Sequence, residues 1–301
     1  MSNDQIIRVV GLIHRLGRFE LAIPELTMER GYVLGLLGRN GAGKSTTLGA
    51  LVGLIKPAAG DITVLGLPVR SAAVEVRRRV GFVPEQAAFY DGLNATQTAA
   101  ILAPFYPGWS DKLLQRYLTR FEIDAKQPIR SYSKGMRVKL ALALALSHAP
   151  ELLILDEPTA GLDPVVRQMV VGEIAGLVKD GRHSVIISSH ITSDLAIADY
   201  IGILDAGRLI LHDDQEQLRE RWRKVSGATV HAPSDPTGLF LSYRRDGASF
   251  AGVTDHYSTE WRAQVEQAGL RIDVVAQLTL DEILACATGQ RNLSDDAREV
   301  A

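Results

Sequence analysis

Gly38-Arg39-Asn40-Gly41-Ala42-Gly43-Lys44-Ser45 spells G-x-x-x-x-G-K-S, a spacing that lets a backbone loop close around phosphate oxygens. The glycines allow the chain to approach those oxygens, and inward-turned N–H groups supply donors. The Lys44 ammonium is placed to reach the outer phosphates and the Ser45 hydroxyl to ligate Mg²⁺. A second chemical pair lies far along the chain, where Asp156 and Glu157 close the apolar run Leu152-Leu153-Ile154-Leu155. A carboxylate at the carboxyl end of a buried parallel strand can hold Mg²⁺ through water, which suits Asp156. Glu157, the next residue, points elsewhere and can accept a proton from an attacking water. These residue types in this pattern predict phosphoryl chemistry.

The elements that must position them are legible on either side. Apolar Tyr32-Val33-Leu34-Gly35-Leu36-Leu37 runs into the loop as a strand, and Thr46-Thr47-Leu48-Gly49-Ala50-Leu51-Val52 leaves it at helical spacing. The start of that helix, with Thr46, adds the positive end of its dipole to the phosphate site. Upstream of the acidic pair, Ser131-Tyr132-Ser133-Lys134-Gly135-Met136-Arg137 precedes a strong helix former, Val138–Leu146. Ser133 reads as its N-cap, and Gly135 leaves room for an anion at the helix start. Ser184-Val185-Ile186-Ile187-Ser188-Ser189-His190 is another apolar strand, with a histidine at its end.

With four motifs in order, the chain resembles the ATP-binding cassette family: Walker A (Gly38–Ser45), a signature (Tyr132–Met136, in place of L-S-G-G-Q), Walker B (Leu152–Glu157) and a switch histidine (His190). Ala160-Gly161-Leu162-Asp163-Pro164 resembles that family's D-loop. The resemblance covers about residues 5–224, and the Y-S-K-G-M signature resembles the branch whose ATPase subunits pair with separate membrane subunits, often exporters. It implies ATP and Mg²⁺ as ligands and a head-to-tail dimer of this chain with itself or a paralogous cassette. It places Gly38, Asn40, Gly41, Ala42, Gly43, Lys44, Ser45 and Thr46 around one nucleotide. Ser133 and Gly135 approach its γ-phosphate from the partner, His190 touches that phosphate, and Asp163 couples the two sites.

Two positions depart from the pattern. The family places a Gln after the strand that precedes its helical insert; here Val80-Gly81-Phe82-Val83-Pro84 is followed by Glu85, with Gln86 one residue late. Either Glu85 or Gln86 contacts Mg²⁺ and the lytic water in this reading, Glu85 being the positional equivalent. Leu16 stands where many members stack an aromatic ring on adenine, and Phe19 follows three residues on, as a substitute or as strand core.

The 301 residues accommodate a large domain and a smaller one. The predicted fold class is α/β: a P-loop NTPase core with a parallel sheet, an antiparallel N-terminal β subdomain and a helical insert over about 87–150, plus a small C-terminal α/β appendage. The expected domains are 1–224 and 225–301. In the second, 239–243 and 248–253 form a hairpin, helices cover 258–268 and 280–287, a strand covers 270–275, and 290–301 fray. Arg77-Arg78-Arg79 reads as a solvated helix end.

A net charge of −2 argues against a nucleic-acid surface. The single cysteine, Cys286, permits no internal disulfide, reads as a buried small residue and points to the cytosol. The first residues lack the features of a signal peptide, and no apolar run reaches the ~18 residues of a membrane span. Integral-membrane permease subunits are therefore the expected partners, with this chain peripheral on the cytoplasmic face of the membrane. The expected function is ATP hydrolysis powering transport, with export the expected direction. The alternative is a soluble cassette ATPase acting on ribosomes or DNA, which would carry two cassettes in one chain or a long coiled coil; neither pattern is present.

Overall fold

The computed structural model describes residues 5–179, 181, 183–230 and 236–289. Its contacts divide the chain into two compact units, Met1–His212 and Asp213–Ala301. The first is built on β1 (Gln5–Leu16), β2 (Phe19–Glu29), β3 (Val33–Leu37), β4 (Ala59–Val64), β5 (Leu67–Pro68), β6 (Val80–Val83), β7 (Leu152–Asp156), β8 (Ser184–Ser189), β9 (Tyr200–Asp205) and β10 (Arg208–Asp214), in one sheet ordered β5-β4-β1-β2-β10-β9-β3-β8-β7-β6. Strands β9, β3, β8, β7 and β6 run parallel, and every residue of β3, β7 and β8 is buried. Continuous apolar runs are what a parallel strand covered on both faces requires. Strands β1, β2, β4 and β5 pair antiparallel and form the N-terminal subdomain. A parallel pairing of Arg208 with Ala22 joins the two parts.

Helix α1 (Lys44–Leu51) follows β3, and α2 (Val69–Arg79) follows β5. Leu48, Leu51, Val69 and Val76 of these helices join Ile7, Val9, Leu21, Ile23 and Ile62 of the strands in the main core. Each fully buried aliphatic side chain contributes about 1.5–3 kcal/mol. The three arginines ending α2 differ from the sequence expectation of a solvated terminus. Only Arg78 is exposed; Arg77 donates to the Val52 carbonyl (3.0 Å) and Arg79 pairs with Glu151 (2.6 Å). They close the open ends of α1 and β7.

Between β6 and β7 lies the helical insert: α3 (Ala95–Leu102), α4 (Asp111–Arg120) and α5 (Lys134–Leu146). Asn94, Ser110 and Ser133 cap them as their side-chain chemistry predicts, Asn94 within a full capping box with Gln97. Leu140–Leu146 is buried throughout, so the rear of α5 is a core element while its start is exposed. Helix α6 (Pro164–Val178) follows β7, with Asp163 capping it and Pro164 at its first position.

The second unit contains α7 (Gln215–Arg221), β11 (Arg223–Thr229), β12 (Ser242–Asp246), β13 (Ser249–Thr254), α8 (Thr259–Gln267), β14 (Leu270–Gln277) and α9 (Leu280–Ala287). Its antiparallel sheet is ordered β12-β13-β11-β14. Val225, Phe250, Trp261, Val265, Leu270 and Ile272 form its core, and the Trp261 indole donates to the Leu239 carbonyl (2.8 Å). The expected hairpin is present as β12–β13, but its first strand begins at Ser242, and Leu239, expected at its start, ends the short 3-10 turn Thr237–Leu239. Strand β11 was not expected: only Val225 of its seven residues is buried, and polar residues and Gly227 hide its period. At Gly227 the register shifts, and a Cβ there would collide with the Arg271 carbonyl. Cys286 is half-buried on α9, and the fraying expected for 290–301 lies outside the described residues. Among the described residues no helix is long and apolar enough to cross a membrane.

Candidate nucleotide-binding site

Strand β3 delivers the Gly38–Gly43 loop to the carboxyl edge of the parallel sheet, where ligands bind in such folds. Gly43 precedes α1 with φ +108°, and a Cβ there would lie 2.8 Å from Leu21 Cδ1, so only glycine fits. No side chain caps α1, and its first turn holds no acid. The first N–H groups of that helix therefore keep their demand for an anion. A cavity of about 500 Å³ opens in front of them. Asn40, Gly41, Gly43, Lys44, Ser45 and Thr46 line it at the loop, Glu85 and Glu157 at the acidic side, and Leu16 and Phe19 at the far rim.

Lys44 is 5% exposed and donates to the carbonyls of Gly38 (2.6 Å) and Arg39 (3.2 Å). Its ammonium also stands 3.0 Å from Glu157 Oε1, an ion pair without hydrogen-bond alignment. The other Glu157 oxygen lies 2.8 Å from His190 Nδ1, so Lys44, Glu157 and His190 form one chain of contacts. Glu157 adopts φ +48°, a left-handed backbone conformation that is uncommon outside glycine. Ser188 fixes both Glu157 and Asp156: its hydroxyl donates to Asp156 Oδ1 (2.7 Å) and accepts from the Glu157 N–H (2.9 Å). Sequence reasoning passed over Ser188, although a serine inside the apolar run of β8 was the available signal.

Glu85, which stands where the family places Gln, is on the cavity wall, and Gln86 is not. Asp156 sits behind the wall, 4% exposed, and Ser45 is exposed at it. This donor set, one hydroxyl and nearby carboxylates without a closed cluster, fits a Mg²⁺ ion that keeps several waters and phosphate oxygens. At the rim, Leu16 and Phe19 are paired across the two-residue turn of the β1–β2 hairpin. Leu16 is 71% exposed, whereas Phe19 packs against Gly43 and the core, as its reading as strand core expects, and also lines the cavity.

Ser133, Gly135 and Asp163 do not line this cavity. They gather elsewhere. The Ser133 hydroxyl accepts from Met136 N (3.2 Å), and a Cβ on Gly135 would lie 3.3 Å from Val166 of α6. Asp163 accepts from Val165 and Val166 N–H groups (both 3.1 Å), and Lys134 Nζ lies against Gly161. The signature and the D-loop thus form a second polar surface on the same unit. A third feature is an apolar groove of about 150 Å³ lined by Phe82, Phe89, Leu102, Tyr106 and His148, among others. The His148 ring stacks on Tyr106 (4.2 Å), its Nδ1 has no hydrogen-bond partner, and burial pushes its pKa down to about 4.

A phosphate loop, an acidic strand end with a histidine beside it, and a helical insert bearing a separate polar surface make a specific combination, and it recurs in known proteins. The ABC transporter family model matches residues 21–160. The daunorubicin resistance ATP-binding protein DrrA3 of Streptomyces coeruleorubidus is 36% identical over 95% of this chain and 96% of its own length. The chain belongs to the ABC transporter family, among its ATP-binding proteins. The bacitracin transport ATP-binding protein BcrA of Bacillus licheniformis is 37% identical, over 66% of this chain and 66% of that protein. A solved ATP-binding subunit of an ABC transporter, 26% identical, superposes with a TM-score of 0.64 over 71% of this chain and 92% of its own. The parallel core, antiparallel N-terminal strands and helical insert of this cassette ATPase are those expected from the sequence.

Proposed function

We propose that the cassette hydrolyses Mg·ATP as one of two ATPase subunits and powers export through separate membrane subunits. The observation that carries this is the division of the site. One surface, with the α1 start, Lys44 and Glu157, lines the cavity; a second, at Ser133, Gly135 and Asp163, lies outside it. A head-to-tail pair of cassettes brings the second surface of one subunit onto the nucleotide held by the other.

In that arrangement Lys44 exchanges the Gly38 and Arg39 carbonyls for the β- and γ-phosphates. Ser45, Asp156 and Glu85 would hold a Mg²⁺ ion, which would supply charge neutralisation at the phosphates. Glu157 takes a proton from the attacking water as its oxygen bonds to the γ-phosphorus, and ADP leaves with the bridging oxygen. His190, anchored on Glu157, contacts the transferred phosphoryl group. Positioning and charge neutralisation supply most of the catalysis in such a transfer, with the base adding about 10²–10⁴-fold. Loss of the γ-phosphate removes the link between subunits, and the halves part.

Export and membrane partners are supported by the relatives, named for bacitracin transport and daunorubicin resistance. The groove at Phe82, Phe89 and Tyr106, with exposed Tyr90 and Phe105 near it in sequence, is suited to a cytoplasmic helix of a membrane subunit. That docking would hold the cassette on the inner face of the membrane. No observation favours the ribosomal or DNA-directed reading.

Glu157→Gln tests the proposal. It keeps the shape of the side chain and removes the base, so ATP turnover falls about 10²–10⁴-fold, while an ATP-dependent dimer accumulates in sedimentation experiments. Turnover equal to wild type would remove Glu157 from the mechanism. The membrane half is checked by purification from the native source, where a polypeptide with several membrane spans should accompany the cassette.

A further inference from the structure

Asp194 is the most buried acid among the described residues, 1% exposed, and sequence reasoning gave it no role. It lies in the 3-10 turn Thr192–Ile197 after β8. Three donors from three segments converge on its carboxylate: Arg167 Nε on Oδ1 (2.5 Å), and Thr159 Oγ1 (2.5 Å) and Ser189 Oγ (3.1 Å) on Oδ2. The Arg167 guanidinium also donates to Ser193 Oγ (2.6 Å), and Ser189 Oγ accepts from Ile191 N (2.9 Å).

Each donor sits beside a residue assigned to the proposed site. Thr159 lies two residues after Glu157. Ser189 immediately precedes His190, and its bond to Ile191 N closes the turn around that histidine. Arg167 is in the first turn of α6, and its N–H donates to the carbonyl of Asp163, the cap of that helix (3.0 Å). A buried charge persists only when paired and fully hydrogen-bonded, so this cluster has one low-energy arrangement. We infer that Asp194 is a positioning residue for hydrolysis: it holds the loops carrying Glu157, His190 and Asp163 in one register. Asp194 touches none of these three directly and acts through Thr159, Ser189 and Arg167. The inference rests on the ATPase reading above.

Asp194→Asn keeps the shape and removes the charge that holds Arg167. It should lower kcat about 10–100-fold, as misplacement near 1 Å does. The ATP Kd, measured by calorimetry in a Glu157→Gln background, should stay within about twofold of the parent because the phosphate loop is untouched. Arg167→Gln should give the same split more weakly and keeps the test available if Asp194→Asn does not fold; Arg167→Lys should recover part of the loss. In ¹⁵N NMR of labelled histidines, the His190 imidazole signal should move in Asp194→Asn while His14 and His256 stay in place. This arm reads the positioning without turnover, so a failure of the ATPase reading, seen as wild type lacking turnover, is distinct from a failure here. Turnover within twofold of wild type in both variants, or an unmoved His190 signal, overturns the inference. So does a loss of ATP affinity that parallels kcat and is not recovered by Arg167→Lys.

Discussion

The chain uses the start of a helix twice, under opposite conditions. Helix α1 begins inside a cavity, uncapped, with Lys44 and Glu157 almost wholly buried around it. Helix α5 begins on an exposed surface, capped by its own Ser133, with Gly135 against α6. The first start needs an anion to satisfy it; the second is satisfied alone and still offers N–H groups and a hydroxyl outward. On the proposed reading, one subunit carries a grip on its own phosphates and a lid for its partner's. The contrast explains why burial alone would have found only half of the proposed site.

The most demanding way to break this contrast is to damage the two surfaces in different molecules. Lys44→Ala removes the cation from the grip. Ser133→Glu introduces a negative charge at the helix start, which the helix dipole tolerates, while repelling phosphate from the lid. Each variant alone should be nearly inactive. A head-to-tail dimer of one with the other contains one site with both defects and one with neither. An equimolar mixture should therefore regain about a quarter of wild-type turnover, since half the dimers are mixed and half their sites intact. If mixing restores nothing while each variant still dimerises, both surfaces act within one subunit and the contrast collapses.

The grip was legible in the sequence because its parts are continuous. Gly38–Ser45 is a local motif between a strand and a helix, and Leu152–Glu157 is a strand with its chemistry at the end. The cap Ser133 was legible for the same reason, since it bonds to a residue three positions on. What was not legible depends on contacts between distant segments. Ser188 joins Asp156 to Glu157 from another strand, hinted at only by its place in the apolar run of β8, and Asp194 gathers three segments with no neighbour in sequence that announces it. Strand β11 was hidden because a mostly solvated strand carries no apolar period. Glu85 and Gln86 differ by one residue, so only geometry could show that Glu85 lines the cavity.

The exposed start of α5 is only as well placed as its buried rear, and His148 tests that link. Its pKa of about 4, against 6.5 ordinarily, means that the folded state prefers it neutral. The unfolded chain then takes up a proton first as pH falls, so stability is full above about 6.5 and declines toward 4. The shift corresponds to roughly 3 kcal/mol at most. His148→Phe keeps a ring to stack on Tyr106 and removes the titration. Urea unfolding at pH 7 and pH 4.5 should show wild type losing more stability than the variant across that interval. Parallel losses in the two proteins would mean that His148 is not what ties the helix down in its neutral form.

The smallest effect sharpens the contrast at the far rim of the grip, where the phosphate loop no longer dictates binding. Leu16 stands at the hairpin tip, exposed, opposite Phe19, whose face is partly occupied by Gly43. An aliphatic side chain there gives a nucleotide base apolar contact but no stacking partner. Leu16→Tyr introduces a ring on a strand that already holds its Cβ over the cavity. Aromatic stacking contributes about 0.5–1.5 kcal/mol, so the ATP Kd should tighten about 2- to 10-fold. Stacking does not read the exocyclic groups of the base, and GTP should gain as much as ATP. A Kd that tightens for ATP alone would place a base-reading polar group at the rim, and an unchanged Kd for both would mean that the base lies away from the hairpin and the phosphates alone set affinity.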